Sequence, residues 1–326
     1  MKKNVAIVWG GYSSEAIISA KSMAGIYSFL DKEKYNVYKV KIVSNEWSVD
    51  IDGKIIPVDK NDFSFAAGDE KVKFDFAYIT IHGTPGEDGR LQGYFDMIGI
   101  PYSSCGMMAS ALTFNKYICN KFLLNFGVDV ADSCHLYEGQ EYDEDAIIEK
   151  LGLPLFVKPS IGGSSFATTK VKTKAGLIPA INIAFKEANE VIIERFIKGR
   201  EVTCGCFKIG DEMTTLPLTE VVTTNEFFDY DAKYEGQVDE ITPADLPTDL
   251  TDKIKSETKK IYDLVGAKGI IRVDYIITGN NIPYMLEVNT TPGMTATSFI
   301  PQQVAAAGLN ITDVLTDIIE NEYRKH

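Results

Sequence analysis

The stretch that decides the fold reads IIRVDYIITGNNIPYMLEVN and covers residues 270–289. Apolar and polar side chains alternate on both sides of its Thr-Gly-Asn-Asn segment, and this pattern predicts a β-hairpin. Across a turn of two or four residues, Arg272 and Asp274 lie on the same face as Glu287 and Asn289. We therefore expect three oxygen-bearing side chains and one guanidinium to converge.

This convergence has two interpretations. Charged side chains on a hairpin face are often merely solvated, but here they are interleaved regularly with Ile, Val, Tyr and Leu, which favours a ligand site. Hard oxygen donors with no histidine or cysteine nearby favour Mg²⁺, whose coordination is completed by waters and substrate phosphates. The hairpin therefore predicts a metal-dependent nucleotide site.

A candidate phosphate loop lies at residues 158–165, Lys-Pro-Ser-Ile-Gly-Gly-Ser-Ser. Its small residues allow backbone amides to close around a phosphate, and Lys158 supplies positive charge. The residue order of a Walker A loop is missing, and a glycine–serine surface turn is the simpler explanation of this segment taken alone.

Two N-terminal segments also have more than one interpretation. Residues 10–15, Gly-Gly-Tyr-Ser-Ser-Glu, lack the G-x-G-x-x-G order of a dinucleotide-binding turn. Glu15 is either a favourable partner of a helix dipole or the residue that holds a substrate ammonium. Residues 82–93 place four glycines behind a predicted strand, where they form either an ordinary loop or a ligand-binding loop at the carboxyl end of the strand.

The periodicity along the chain predicts a mixed α/β architecture in three lobes, residues 1–100, 101–190 and 191–326. The first lobe is an open α/β unit, and the stretch before its third strand is expected to be rich in loops. The expected strands and helices are Val5–Trp9, Ala16–Leu30, Val37–Val43, Phe74–Ile81, Gly93–Ile98, Ala109–Phe126, Leu155–Pro159, Asp252–Val265 and Ile311–Tyr323. From Val191 to Ile209 the pattern is again rich in strands.

The charge and cysteine content exclude several classes of protein. A formal net charge of -13 over 326 residues opposes broad binding to nucleic acid or to an anionic membrane surface. Five scattered cysteines do not form a disulfide framework, and Cys204 and Cys206 are best explained as core thiols. We expect a cytoplasmic protein with no nucleic-acid and no membrane partner.

Four segments in fixed order resemble the D-alanine:D-alanine ligases, a family of ATP-grasp enzymes. They are residues 10–15, 82–93, 228–234 and 287–295, and they span nearly the whole chain. The resemblance implies the ATP-grasp fold: an N-terminal open α/β lobe of the Rossmann-like kind, then two α+β lobes. It also implies ATP-dependent joining of two D-alanines through an acyl phosphate for peptidoglycan precursor synthesis, by a homodimer that pairs through the N-terminal lobe.

The resemblance assigns roles to individual positions. The catalytic residues it implies are Glu15, Ser164, Tyr234, Arg272 and Gly293. The substrate-binding residues it implies are Glu15, His82, Ser298 and Phe299. The ATP-binding residues it implies are Lys116, Lys158, Ser165, Glu194, Phe196, Ile197, Glu201 and Lys233. Two Mg²⁺ ions, with Mn²⁺ as an alternative, are implied at Asp274, Glu287 and Asn289. The loop from Thr223 to Gln237 is implied as a lid over the site.

The sequence departs from the family pattern near two ligands. The family's Arg-Glu-Gly-Ser-Ser-Val-Gly after Lys-Pro-Ser is replaced by residues 161–167, Ile-Gly-Gly-Ser-Ser-Phe-Ala. Two charges beside the phosphates are thus lost, and Ala167 restricts the backbone if that position needs a positive φ. Phe299 replaces the usual leucine near the second substrate, so D-serine is not excluded.

Three other functions stay open at this point. Another ATP-grasp ligase would use the same acyl phosphate on a different amine, and a nucleotide-binding regulator would keep the fold without turnover. A nicotinamide dehydrogenase is indicated only by the first strand and helix.

Overall fold

The described part of the chain forms three β-sheets, each covered by helices. The structure is a computed structural model that describes residues 2–13, 15–163, 166–223 and 238–325. The strands are β1 Lys3–Gly10, β2 Tyr35–Val43, β3 Glu46–Ile51, β4 Lys54–Asp59, β5 Ser64–Ala67, β6 Glu70–Lys73, β7 Phe76–Ile79, β8 Ser133–Tyr137, β9 Leu155–Pro159, β10 Thr169–Val171, β11 Glu190–Arg195, β12 Gly199–Ile209, β13 Glu212–Thr215, β14 Thr219–Thr223, β15 Val238–Ile241, β16 Ile270–Thr278 and β17 Pro283–Asn289. The helices are α1 Ala16–Phe29, α2 Arg90–Ile98, α3 Met107–Phe114, α4 Lys116–Leu124, α5 Glu144–Leu151, α6 Leu177–Ala184, α7 Thr248–Leu264, α8 Phe299–Ala306 and α9 Ile311–Tyr323.

The first sheet has the strand order β6-β5-β4-β3-β2-β1-β7. β1 is parallel to β2 and β7, and α1 makes the crossover from β1 to β2. At the carboxyl end of β1 the chain turns at Gly10 and Gly11, whose φ angles are 110° and 99°. A Cβ on Gly10 would lie 2.5 Å from the carbonyl oxygen of Ile42, so only glycine fits this turn. The turn delivers Glu15 to the carboxyl edge of the sheet.

The prediction of loops before the third parallel strand is wrong, because residues 46–73 form four antiparallel strands. β3 and β4 are joined by Asp52 and Gly53, with φ of 50° and 83°, as in a two-residue hairpin turn. These strands are only four to six residues long. Their outer faces are rich in charged side chains, so the apolar signal of the buried face is short and diluted.

The second sheet is antiparallel in the order β10-β9-β11-β8, and α5 and α6 contribute to its core. The third has the path β15-β14-β12-β16-β17, with β13 paired to β12. On one face of the third sheet α4 and α7 pack against Val202, Ile271 and Val273. The helices α8 and α9 share a separate core with α1 and β1.

The expected helix from Ala109 to Phe126 is interrupted at Asn115. This residue has ψ of 102° and caps α4, because its side-chain oxygen accepts a hydrogen bond from the backbone NH of Ile118. Asparagine is a favourable helix cap and a weak interior residue, which explains two helices in place of one.

The lobe limits drawn from the sequence stay a prediction. β11 pairs with β8 and β9, so the limit at residue 190 coincides with the first residue of a strand in the second sheet. None of the described helices is long and apolar enough to cross a lipid bilayer.

Candidate active site

The predicted hairpin is confirmed by the pairing of β16 with β17. Asp274 lies opposite Glu287 and Arg272 lies opposite Asn289, with a register irregularity after Asp274. Asp274 and Glu287 line two adjoining cavities, of about 280 Å³ and about 810 Å³. The hairpin face is therefore the floor of a cleft between the sheets.

Arg272 holds the carboxylate of Asp274 with two parallel hydrogen bonds. Its Nε and one terminal nitrogen donate to the two oxygens of Asp274 at 2.7 and 2.8 Å. Asn289 donates to the same carboxylate at 3.0 Å, and the Phe299 ring centre lies 5.2 Å from the guanidinium carbon. Burial lowers the pKa of Arg272, but the surrounding carboxylates, Asp274 foremost, together raise it more, so the net pKa is above its ordinary value. The guanidinium is therefore a fixed positive charge.

The donor set on this floor suits Mg²⁺. Asp274 and Glu287 offer carboxylate oxygens, and Asn289 offers an amide oxygen once its NH₂ group faces Asp274. Magnesium characteristically takes one or two protein carboxylates and completes its shell with waters and phosphates. Among the described residues no group of three or more His, Cys, Asp or Glu side chains is arranged to hold a metal. The floor itself offers two carboxylates and an amide.

The smaller cavity is lined by two partly buried lysines. Lys158 on β9 contacts Glu194 on β11 at 2.6 Å, and Asn120 on α4 donates to the other Glu194 oxygen at 3.0 Å. Burial lowers the pKa of Lys158, whereas Glu194 raises it, and the net pKa is raised. The Nζ of Lys116 donates to the carbonyl of Gly162, and burial lowers the pKa of Lys116. These cations give an acidic chain a local site for anions.

The other residues expected around ATP divide into two groups. Ile197 and Glu201 line the smaller cavity with Glu194. The ring of Phe196 instead packs against Phe156, at 5.8 Å between centres, with the Lys170 amine 4.1 Å from its centre. Phe196 does not line either cavity, so its side chain supports the wall behind Phe156.

Glu15 lies where the first lobe meets the phosphate loop. A Cβ on Gly163 would be 2.8 Å from one of its carboxylate oxygens, and a Cβ on Gly83 would be 3.0 Å from the other. Glu15 is only 6% exposed. Both glycines therefore leave the space in which this carboxylate lies.

The sequence interpretation missed Glu87, the buried neighbour of Glu15. Glu87 accepts a hydrogen bond from the backbone NH of Gly83 at 2.6 Å and lines the larger cavity. Burial raises its pKa first, and the charge of Glu15 raises it further. A proton on Glu87 leaves the negative charge on Glu15. The signal available in the sequence was an acidic residue inside a glycine-rich loop behind a strand.

His82 links the first helix to the loop after β17. Its Nε2 lies 3.0 Å from the hydroxyl of Ser22, and that hydroxyl is 3.5 Å from the backbone NH of Met294. Burial lowers the pKa of His82 to about 4, with a smaller contribution from Arg272. The imidazole is therefore neutral at pH 7.

We expect His82 to make the folded state less stable as the pH falls from about 6.5 to about 4. Over this window the unfolded chain takes up a proton that the folded protein cannot accept, so the folded state loses stability. The H82Q variant lacks this loss, and its free energy of unfolding at pH 4, relative to pH 7, falls by about 3 kcal/mol less than that of the unmodified protein. Urea unfolding at both pH values measures the difference, and equal losses in the two proteins would contradict it.

Gly293, Ser298 and Phe299 line the larger cavity. The Ser298 hydroxyl accepts from the backbone NH of Thr295 at 3.0 Å and lies 2.7 Å from the Thr295 hydroxyl. Ser298 precedes α8 and Phe299 is its first residue. Four further expected site residues, Ser164, Ser165, Lys233 and Tyr234, lie outside the described residues, as do residues 224–237 of the expected lid.

The predicted backbone restriction at Ala167 is confirmed, because this residue has a positive φ of 53°. In this left-handed region of backbone conformation, a residue with a Cβ is strained by roughly 1–2 kcal/mol. Glycine avoids that strain, but its more flexible unfolded chain lowers the stability of the folded state by about 0.4–1 kcal/mol. We expect A167G to raise the free energy of unfolding by roughly 0–1.5 kcal/mol. An alanine-to-glycine change in the exposed helical residue Ala305 should instead lower it by about 1 kcal/mol. Urea unfolding of both variants measures the contrast, and destabilisation by A167G would show that the strain is absent.

The mixed first sheet with its parallel centre, the two further sheets and the cleft between them are the arrangement of an ATP-grasp enzyme. Family models described as "D-ala D-ala ligase N-terminus" and "D-ala D-ala ligase C-terminus" match residues 4–105 and 122–320. The chain therefore belongs to the D-alanine–D-alanine ligase family.

Individual proteins agree with this assignment. The D-alanine–D-alanine ligase of Parabacteroides distasonis is 63% identical over 325 residues, which are 99% of this chain and 98% of that protein. Among solved structures, the VanG D-Ala:D-Ser ligase of Enterococcus faecalis has a TM-score of 0.87 at 30% identity, covering 99% of this chain and 100% of that one. The Bacillus anthracis D-alanine–D-alanine ligase complexed with ATP has a TM-score of 0.79 at 31% identity, covering 99% and 98%.

Proposed function

We propose that this chain joins two D-alanines to D-alanyl-D-alanine with ATP, for peptidoglycan precursor synthesis. The observation that carries the proposal is the shared floor of the two cavities. Asp274, Glu287 and Glu15 line both cavities, and the two lysines line the smaller one. A phosphate donor and an amino acid bound in these cavities would meet over the same carboxylates. The relatives named above support the same substrate class.

The smaller cavity takes the nucleotide. Lys116 and Lys158 contact its phosphates, while Glu194, Ile197 and Glu201 line the part that receives the adenine and ribose. Asp274, Glu287 and Asn289 would hold Mg²⁺, which when bound supplies positive charge to the transferring phosphoryl group. The lysines hold the phosphates close to the amino-acid side of the cleft.

The first D-alanine binds with its ammonium on Glu15. Protonated Glu87 leaves Glu15 ionised for this contact, and neutral His82 adds no competing positive charge. The substrate carboxylate then faces the phosphates and takes the terminal phosphoryl group of ATP to become an acyl phosphate.

The second D-alanine enters beside Ser298, whose hydroxyl receives its carboxylate. Its deprotonated amine attacks the acyl phosphate, and Arg272 with the Gly293 amide stabilises the oxyanion before phosphate leaves. Phe299 narrows this end of the cavity, and because its ring packs over Arg272, it also fixes the guanidinium that meets the oxyanion. D-serine, the second substrate in the name of the enterococcal structure, is the natural competitor to test.

The decisive experiment is release of ADP and phosphate by the purified protein with ATP and Mg²⁺. D-Alanine is offered alone and then with D-serine or D-lactate, and the products are identified by mass. D-Alanyl-D-alanine from D-alanine alone supports the proposal, and a mixed product preferred in competition replaces it with a different second substrate. Absence of D-alanine-dependent turnover would overturn it.

The proposal also covers the cellular compartment and the oligomeric state of the protein. The five cysteines are all unpaired, and cytoplasmic ATP and a reducing compartment suit such a chain. The homodimer implied by the family would pair through the N-terminal lobe, and sedimentation or light scattering of the pure protein tests it.

A further inference from the structure

A second set of polar residues lies directly behind the lysines, outside both cavities. It joins α4 to the second sheet, and we name it the anchor network. Its members are Asn115, His135, Ser160 and Glu190. None of the four lines either cavity, so any effect on the reaction must pass through the residues they hold.

Asn115 is the centre of the anchor network. Its NH₂ group donates to Glu190 at 2.9 Å, while its oxygen accepts from the Ser160 hydroxyl at 2.9 Å and from the Ile118 backbone NH at 3.1 Å. A carboxylate can only accept, so the NH₂ group must face Glu190 and the oxygen must face the two donors. Glu190 thereby fixes the orientation of the amide that caps α4.

Glu190 is itself held in place by a residue of the neighbouring strand β8. The Nε2 atom of His135 lies 3.1 Å from the same Glu190 oxygen, and the His135 ring stacks on Tyr117 of α4 at 4.3 Å and 7°. The backbone carbonyl of Glu190 accepts from Ser160 NH at 2.9 Å. Two strands and the first turn of a helix are thus joined through one side chain.

The anchor network ends at both phosphate-side lysines. The backbone NH of Lys116 donates to the carbonyl of Ser160 at 2.8 Å, and Ser160 follows Lys158 by two residues on the strand end. Ser160 is fully buried. Meanwhile Cys119 and Leu123 anchor α4 in the core of the third sheet. Lys116 and Lys158 are therefore carried by different cores and are brought together at this joint.

We propose that Glu190 is a positioning residue for the nucleotide, which sets Lys116 against Lys158 through Asn115 and Ser160. The proposal rests on the proposed function, because it deepens the role of the two lysines. Without the Glu190 carboxylate the Asn115 NH₂ group loses its acceptor, and the first turn of α4 is held less firmly against the phosphate loop. The amines of Lys116 and Lys158 are then no longer held at the positions that fit the phosphates of ATP.

The test compares E190A with E190Q, by calorimetric titration with ATP in Mg²⁺ buffer and by separate KM values for ATP and D-alanine. E190A should weaken ATP binding and raise its KM by about tenfold, with the KM for D-alanine within about twofold. E190Q keeps an oxygen for Asn115 and should recover most of the affinity. N115A should be equally damaging, and E190A/N115A should be no worse than either change alone.

A control separates positioning from stability. Glu320 is also a bonded carboxylate, with Tyr35 at 2.8 Å and Lys3 at 2.6 Å, but it lies in α9 away from the cleft. E320A should lower the unfolding free energy and leave both KM values unchanged. If E190A does not fold, S160A removes one donor to Asn115 and should weaken ATP binding by about threefold.

Unchanged ATP affinity in E190A, equal rises in both KM values, or no recovery in E190Q would overturn the proposal. Calorimetry reports nucleotide binding without turnover. Failure of the unmodified protein to use D-alanine, with ATP binding intact and weakened by E190A, would therefore count against the proposed function alone.

Discussion

Replacing Arg272 by lysine should lower kcat by about 100-fold to 1,000-fold while the protein stays folded. Lysine keeps the positive charge but cannot make the two parallel hydrogen bonds to Asp274, nor hold a planar donor towards the oxyanion. The loss should fall on kcat, because in the proposed mechanism the guanidinium stabilises charge that develops during the reaction. Steady-state ADP release at saturating ATP and D-alanine measures it.

A matched control is available in Arg200. Its guanidinium makes the same two-point contact, with Glu220, at 2.6 Å for both hydrogen bonds, but its side chain is 45% exposed. R200K should leave kcat within about twofold, because neither Arg200 nor Glu220 lines either cavity. Comparable losses in R200K and R272K would mean that arginine geometry matters only for folding.

Replacing Lys158 by methionine should cost about 3 kcal/mol of unfolding free energy and raise the KM for ATP by at least about tenfold. The stability loss arises because Glu194, with 7% of its side chain exposed, would be left as an unpaired buried charge. The K158M/E194Q double variant removes that charge and keeps an oxygen for Asn120. It should regain most of the stability but none of the ATP affinity. Urea unfolding and initial rates against ATP measure the two effects.

The surface pair of Lys174 and Asp145 provides the comparison. Both side chains are at least half exposed, and K174M should change the unfolding free energy by less than about 1 kcal/mol. If the double variant recovered ATP affinity together with stability, the effect of Lys158 on the nucleotide would be a consequence of folding alone.

The hairpin of β16 and β17 could be predicted because alternation is a local property that both strands carry strongly. The strands β3 to β6 could not, since each is short and its exposed face is charged. The break at Asn115 had a local signal, an asparagine before a helical run, but a continuous apolar pattern overrode it. Local patterns therefore predicted the long elements and missed the short ones.

The candidate active site shows a different limit of prediction from sequence. Residue type and spacing placed Arg272, Asp274 and Glu287 on one face, but no spacing places Glu87 beside Glu15 or Glu194 beside Lys158. Those contacts join strands and loops that are distant in sequence, and they depend on how three sheets pack. The raised pKa of Glu87 and the lowered pKa of His82 likewise follow from burial, which the sequence alone does not state.

The core shared by the first and last elements affects how the chain folds during synthesis. Val5 and Ile7 of β1 pack with Leu315 and Ile319 of α9, and Lys3 contacts Glu320 at 2.6 Å. At about 5–20 residues per second, roughly 15 to 60 s separate the emergence of β1 from that of α9. During that interval the apolar face that α1 shares with α9 lacks its C-terminal helix. We therefore expect the ribosome-bound chain to expose apolar surface of the kind that chaperones cover.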